Sequence, residues 1–190
     1  MKTILSNTIA PWFSTLDPNR RPLIWQIAAI MIGTALLALS SYITVPMVPV
    51  PVSMQTFAVT LIGALYGWRL GAMTVITWLV QGAVGMPLLA GGAAGIQHFL
   101  GPTGGYLFAF PVCAAVTGWL VGCGWNGQRL VLALLAMMSG NVLCLVIGGA
   151  WLALMIGPEQ AFMLGVLPFL VGAVLKSALA AMLLRALVRS

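Results

Sequence analysis

The chain has 190 residues, of which 62% are hydrophobic and 5% are charged, and its mean hydropathy is +1.10. About a quarter of the residues in a soluble domain are charged, so this chain cannot cover itself with a polar surface. The composition predicts an all-α integral membrane protein. The net charge of +6 is dispersed between apolar runs rather than clustered on one face, which argues against nucleic-acid binding.

Residues 1–22, "MKTILSNTIAPWFSTLDPNRRP", are predicted to be a cytoplasmic N-terminal segment. They lack the apolar core of a cleavable signal peptide. The paired Arg20 and Arg21 precede an apolar run, as the flank of a first spanning helix does. We therefore assign residues 23–190 to one membrane-embedded domain.

Six apolar segments are candidates for spanning helices, which need about 20 mostly apolar residues. They cover residues 23–43, 54–66, 70–85, 104–122, 130–156 and 162–187. The second is short and would have to tilt or be extended by its flanks.

The basic residues indicate the orientation of this six-helix bundle. Seven of the eight fall on one side of an even-numbered topology: Lys2, Arg20, Arg21, Arg69, Arg129, Arg185 and Arg189. Basic residues concentrate on the cytoplasmic side of membrane proteins. Both termini are therefore predicted to be cytoplasmic.

The first segment, "IWQIAAIMIGTALLALSSYI", places Ala29 four residues before Gly33 and Thr34 four residues before Ala38. Small residues at this spacing allow a second membrane helix to approach closely. The pattern fits either a docking face for a partner protein or packing inside the bundle.

Two connections on the predicted outer side depart from plain helix. In "TVPMVPVPVSMQ", three prolines within six residues exclude a helix interior and favour an extended run. The second connection, "GMPLLAGGAAGIQHFLGPTGGYL", is glycine-rich, and such a segment can fold back where it lines a cavity. Its polar residues are Gln97, His98 and Thr103, and Gly104 and Gly105 follow. Backbone N–H groups freed by glycines can receive a polar ligand.

Other chemistry is poorly represented. The two acidic residues, Asp17 and Glu159, are far apart, and HExxH and GxSxG motifs are missing, which argues against an intramembrane enzyme. The "GPTGG" run lacks the Lys of a phosphate-binding loop. The three cysteines form neither a CxxC nor a Cys/His pair, so no metal site or disulfide is predicted.

Three polar or amphipathic residues lie at predicted membrane depth. Asn141 suits either a hydrogen bond between helices or the lining of a pocket, and Trp151 either a ring packed on a solute or an interfacial anchor. Lys176 lies eight residues into "PFLVGAVLKSALAAMLLRAL", about 12 Å below Pro168 at 1.5 Å per residue. It has no acidic partner within a span. It could bond backbone carbonyls and water, snorkel, or bind an anionic ligand.

Four motifs taken in order resemble the BioY family: "VPMVPVPVSMQTFAVTLIGALYG", "GMPLLAGGAAG", "GPTGGYLFAF" and "PFLVGAVLK". BioY proteins are the biotin-binding S components of energy-coupling factor (ECF) transporters. The resemblance covers residues 23 to 188. It implies six helices in the bacterial cytoplasmic (inner) membrane and a biotin pocket near the outer face.

The resemblance also implies partners and site residues. The partners would be a transmembrane T component and two ABC-type ATPases, with Ala29 and Gly33 on the docking face and no cofactor besides the transported biotin. A homo-oligomer is left open. Candidate ligand contacts are Lys176, Thr103, Gly104, Gly105, Gln97, Asn141 and Trp151.

The chain departs from the family pattern at two positions. Ala173 stands where the last motif usually has Asp, three residues before Lys176, and Leu145 stands near a Tyr often found in the fifth helix. The predicted function is biotin uptake by a membrane-embedded binding subunit. The alternatives are a solitary carrier working without ATPases and a membrane scaffold that transports nothing.

Overall fold

The computed structural model describes residues 22–189, and for Val188 and Arg189 the backbone alone. The predicted cytoplasmic segment therefore lies outside the described residues, apart from Pro22. The same holds for Lys2, Asp17 and Ser190.

The described chain is a bundle of helices with one small two-stranded sheet. Its elements are α1 (Leu23–Tyr42), β1 (Thr44–Val45), β2 (Val52–Ser53), α2 (Gln55–Ala83), α3 (Gln97–Leu100), α4 (Gly104–Gly122), α5 (Leu130–Ile156), α6 (Pro158–Ala161) and α7 (Leu167–Arg189). Within residues 22–189, five helical segments are long and apolar enough to cross a membrane: α1, α2, α4, α5 and the run from Pro158 to Leu187.

The helix α2 is interrupted at Gly67, whose φ of 77° and ψ of 172° are not helical. A Cβ placed on Gly71 would lie 3.0 Å from the Cα of Gly63. Residues eight apart in a straight helix are separated by about 12 Å. The two halves of α2 therefore fold back against each other, and the turn falls between the second and third predicted segments.

The predicted ends agree closely with the structure for α1, α4 and α5. The last helix differs, because α6 and a wide π-helical turn, Phe162–Val166, come before α7. Since α7 begins at Leu167, Pro168 lies in its first turn as predicted, where the missing N–H of proline costs little.

The two irregular connections cover one end of the bundle, which we call the hairpin end. The proline-rich run forms the predicted extended structure: β1 and β2 pair antiparallel, with Thr44 opposite Ser53 and Val45 opposite Val52. The 86–103 segment folds back onto the bundle, also as predicted, and buries Leu89 and Phe99. Its chain reversals use positive φ at Gly91, Gly92 and Gly95, a conformation that glycine adopts without strain.

The centre of the bundle is the crossing of α2 and α4. A Cβ on Gly63 would collide with the carbonyl oxygen of Ala114, and one on Gly118 would lie 2.5 Å from the carbonyl oxygen of Gly63. Apolar faces gain little from meeting each other in a bilayer, so helices associate there mainly through such close packing. This crossing gives the hairpin end a rigid base.

Candidate ligand-binding site

A cavity of about 450 Å³ lies at the hairpin end, between the two connections and the helices α2, α4, α5 and α7. This volume is within the usual range for a small-molecule site. Most of its wall is apolar and includes Pro49, Val50, Pro51, Leu89, Phe110 and Phe169. The polar residues divide into a deep group on α5 and α7 and a more exposed group on the 86–103 segment.

Lys176 lies in the deep group, and its side chain is 9% exposed. Its ammonium Nζ donates to the carbonyl oxygen of Ser53 at 2.5 Å and lies 3.4 Å from the hydroxyl of Thr56. Glu159 is the one acidic residue between positions 22 and 189, and neither contact of Lys176 is to a carboxylate. An ammonium group has three donors, so one N–H is left for an acceptor in the cavity.

A chain of hydrogen bonds holds the carbonyl of Ser53 in place. The Ser53 hydroxyl donates to Gln55 Oε1 at 2.9 Å, and Gln55 Nε2 donates to the hydroxyl of Ser41 at 3.0 Å. Ser41 in turn donates to the carbonyl oxygen of Leu37 in α1. Lys176 thus joins α7 to the hairpin, and the bonds through Gln55 and Ser41 join the hairpin to α1.

Asn141 is the second deep polar residue, and it is 2% exposed. Its Nδ2 donates to the carbonyl oxygen of Met137 at 3.1 Å and to the hydroxyl of Ser177 at 3.0 Å. The second bond joins α5 to α7 at the residue that follows Lys176. Asn141 also lines the cavity.

The mouth of the cavity carries the other polar residues. Gln97 is exposed, and His98 and Thr103 are half-buried. The Thr103 hydroxyl donates to the carbonyl oxygen of His98 at 2.9 Å, and Gln97 Nε2 donates to that of Ala94 at 2.7 Å. Four predicted contacts thus line the same cavity: Lys176, Asn141, Gln97 and Thr103.

The other three predicted contacts are not among the lining residues. Trp151 lies behind the wall, and its indole N–H donates to the carbonyl oxygen of Gly101 at 3.1 Å. A Cβ on Gly105 would collide with the Cβ of Trp151, and one on Gly104 with the carbonyl oxygen of Phe99. Both glycines are helical rather than at positive φ. Close packing around Trp151 accounts for all three, and a direct role in binding stays a prediction.

Ala29 and Gly33, the predicted docking residues, are buried inside the bundle. A Cβ on Gly33 would lie 2.5 Å from Thr74 Cγ2 and 3.0 Å from Tyr66 Cε2. These contacts with α2 account for the small residue at position 33 by internal packing, one of the two alternatives that the spacing left open. A docking role for Ala29 and Gly33 stays a prediction.

Tyr106 is a lining residue that sequence reasoning did not select. Its hydroxyl donates to the carbonyl oxygen of Gly165 at 2.7 Å, in the π-helical turn, and its ring stacks on Phe169 with centroids 6.0 Å apart. The sequence feature that could have identified it is a tyrosine at the start of an otherwise apolar helix, because a tyrosine hydroxyl needs a hydrogen-bond partner when it is buried.

Ala173 and Leu145, the two departures from the family pattern, also line the cavity.

A sequence model of the BioY family matches residues 11–190. The chain belongs to the BioY family. A protein of Pyrococcus horikoshii described as a probable biotin transporter BioY is 37% identical over 155 residues, which are 82% of this chain and 91% of that protein. The biotin transporter BioY2 of Lactococcus lactis subsp. cremoris is 31% identical over 88% of this chain and 92% of its own length.

The fold also matches a solved structure of 24% sequence identity, with a TM-score of 0.79 over 88% of this chain and 92% of the other. It is a crystal structure of the S component for biotin from an ECF-type ABC transporter. At this identity the likeness concerns the fold alone. This BioY family member is a multi-pass membrane protein, as its transporter relatives and its long apolar helices indicate.

Proposed function

We propose that the chain takes up biotin as the membrane-embedded binding subunit, the S component, of an ECF transporter. The observation that carries the proposal is the cavity at the hairpin end, with Lys176 at its deep end and no carboxylate bonded to it. Biotin combines a fused ring system, a valerate chain, a ureido group and a carboxylate. This composition suits a mostly apolar cavity with few polar contacts.

The names of the relatives support the same function. The Pyrococcus and Lactococcus proteins are described as biotin transporters, so we assign the chain to transport rather than to catalysis. The S component would deliver biotin together with a transmembrane T component and two ABC-type ATPases. A solitary carrier and a non-transporting scaffold are the outcomes against which this proposal is tested.

We further propose six membrane passes in the bacterial inner membrane, with both termini in the cytoplasm. The fold-back of α2 at Gly67 supports this arrangement, because it turns the second of the five long segments into a pair of antiparallel helices, which makes six passes. Arg69 and Arg129 then lie on the same side as the termini. The hairpin end and Glu159 lie on the opposite side, where biotin arrives.

The decisive test is mass spectrometry of the small molecule released when the purified, detergent-solubilised protein is denatured. We expect biotin in close to one equivalent per chain when cells are grown with it. A calorimetric titration of the biotin-free protein then gives the Kd. If the protein neither releases nor binds biotin, the proposal is refuted, and a non-transporting scaffold is the remaining alternative.

The energising partners need a separate measurement. The tagged chain should retain a T component and the ATPases when it is purified from its native host in mild detergent. Biotin uptake should also stop when the ATPases carry an inactive Walker A lysine. Uptake that continues without them would identify a solitary carrier.

A further inference from the structure

A second cavity, of about 330 Å³, opens on the side of the bundle between α5 and the segment that runs from α6 into α7. We call it the lateral groove. One wall belongs to α5 and consists of Val142, Leu145, Val146, Gly149, Ala150 and Ala153. These residues recur every three or four positions, so they lie on one side of the helix. The other wall consists of Pro158, Ala161, Phe162, Val166 and Leu170.

The lateral groove is closed towards the ligand cavity. Leu145 lines both spaces and is 8% exposed, so its side chain separates them. A Cβ on Gly149 would lie 2.9 Å from Val166 Cγ2, which shows that the two walls meet at this depth. The groove therefore opens outward, on the side of the bundle that faces lipid.

Every lining residue of the lateral groove is apolar. Val142, Val146, Phe162 and Leu170 are large and exposed, so the rim continues the apolar surface that the bundle presents to the bilayer. Its walls offer no side-chain hydrogen bond to a polar ligand. The occupant must consequently be a hydrocarbon group that arrives from the membrane.

The length and the polarity of the lateral groove match one leaflet of a bilayer. The α5 wall runs from Val142 to Ala153, about 16 Å at 1.5 Å per residue, and half of a hydrocarbon core is about 15 Å thick. Glu159 and Gln160 follow Pro158 directly, at one end of the groove, and both are exposed. A polar end above an apolar slot is the arrangement of a headgroup above its chain.

The shape of the lateral groove favours a lipid chain over a protein helix. Helices approach each other closely where small residues form the contact surface. Here Gly149 and Ala161 are buried, whereas the bulky Val146 and Phe162 beside them are exposed. A thin, flexible chain can pass between the bulky residues and reach the small ones, but a helix cannot.

We propose that the lateral groove binds one acyl chain of a membrane phospholipid, with the headgroup next to Glu159 and Gln160. The site is distinct from the ligand cavity, and the inference does not depend on which solute that cavity takes. The lipid forms part of the outer support of the cavity wall at Leu145.

The test is photo-crosslinking of the full chain in detergent with a few equivalents of a phosphatidylcholine that carries a diazirine on one acyl chain. Mass spectrometry of peptides locates the label. We expect at least threefold more label in residues 142–170 than in α1, where Ile24 and Ile32 are at least as exposed as the groove rim. Excess unlabelled phosphatidylcholine should suppress the groove label. Equal labelling of α1, or label that excess lipid does not suppress, would show general surface contact and overturn the inference.

The variant Ala150→Phe fills the lateral groove from an exposed position on α5. Its groove label should fall threefold or more. Ala35→Phe is the matched control, because Ala35 is exposed on α1 and lies outside the groove, and it should keep the wild-type label. Full labelling of folded Ala150→Phe would refute the site.

The remaining outcomes are also decisive. A dimeric mass in detergent, with less label in the groove than in α1, would assign the groove to a second copy of the chain and overturn the inference. If size-exclusion chromatography shows that Ala150→Phe does not fold, the suppression by unlabelled lipid on the wild type decides the question by itself.

Discussion

The ammonium group of Lys176 donates to the carbonyl oxygen of Ser53, a residue 123 positions earlier in the chain. The bond ties the last helix to the second strand of the hairpin, at the deep end of the cavity. The ammonium group is thus hydrogen-bonded to a backbone carbonyl, and it still has an N–H that can donate to a ligand.

Replacing Lys176 by alanine is expected to weaken biotin binding about ten- to a hundredfold. A hydrogen bond to a charged group contributes about 1.5–3 kcal/mol, and about 1.4 kcal/mol corresponds to a tenfold change in Kd. Calorimetry on the purified variant measures the change. The variant should fold, because the substitution removes a charge that has no carboxylate partner, and such charges are costly within a membrane. Wild-type affinity would mean that Lys176 only anchors the hairpin.

The substitution Gly33→Leu is expected to destabilise the isolated protein. Its side chain would meet Thr74 and Tyr66, and overpacking of this kind costs about 1–3 kcal/mol. The thermal unfolding midpoint in detergent should fall in the absence of any partner. Ala35→Leu is the matched control, because Ala35 is exposed on the same helix. Normal stability combined with failure to assemble would instead make Gly33 a docking residue.

The substitution Gly105→Ala should lower both stability and biotin affinity. Its Cβ would collide with Trp151, whose indole holds the carbonyl of Gly101 at the cavity mouth. Gly122→Ala is a matched control in the same helix, since a Cβ there meets nothing within 4 Å. Thermal unfolding and biotin titration measure both variants. Equal behaviour of the two would contradict a packing role for Gly105.

The six-pass topology is tested with cysteines labelled by a membrane-impermeant maleimide. The native Cys123 is exposed, whereas Cys113 and Cys144 are buried. Single cysteines in place of Val48 and Glu159, which are also exposed, should react from outside the cell. Cys123 should react only after permeabilisation.

An unbroken α2 would give a different labelling pattern. With five passes, positions 48 and 123 would react from the same side, and position 159 from the other. That result would refute the fold-back at Gly67 as a pair of membrane passes.

Several features could be predicted from the sequence because they depend on local composition. Apolar runs bounded by Gly, Pro and basic residues gave the ends of α1, α4 and α5 closely. Closely spaced prolines predicted the extended run that forms the hairpin, since they exclude a helix interior. A lysine in a long apolar run, without an acid nearby, made a ligand site one of three interpretations of that residue.

The tertiary structure alone decided how each helix is rotated about its own axis. In a soluble protein the polar side of a helix shows which side is buried, but in a bilayer the lipid-facing and core-facing sides are both apolar. The spacing of Ala29 and Gly33 therefore could not show that Gly33 faces α2. The same ambiguity hid the position of Trp151 behind the cavity wall. The pairing of Lys176 with Ser53 also needed the fold, because a backbone carbonyl leaves no trace in the sequence.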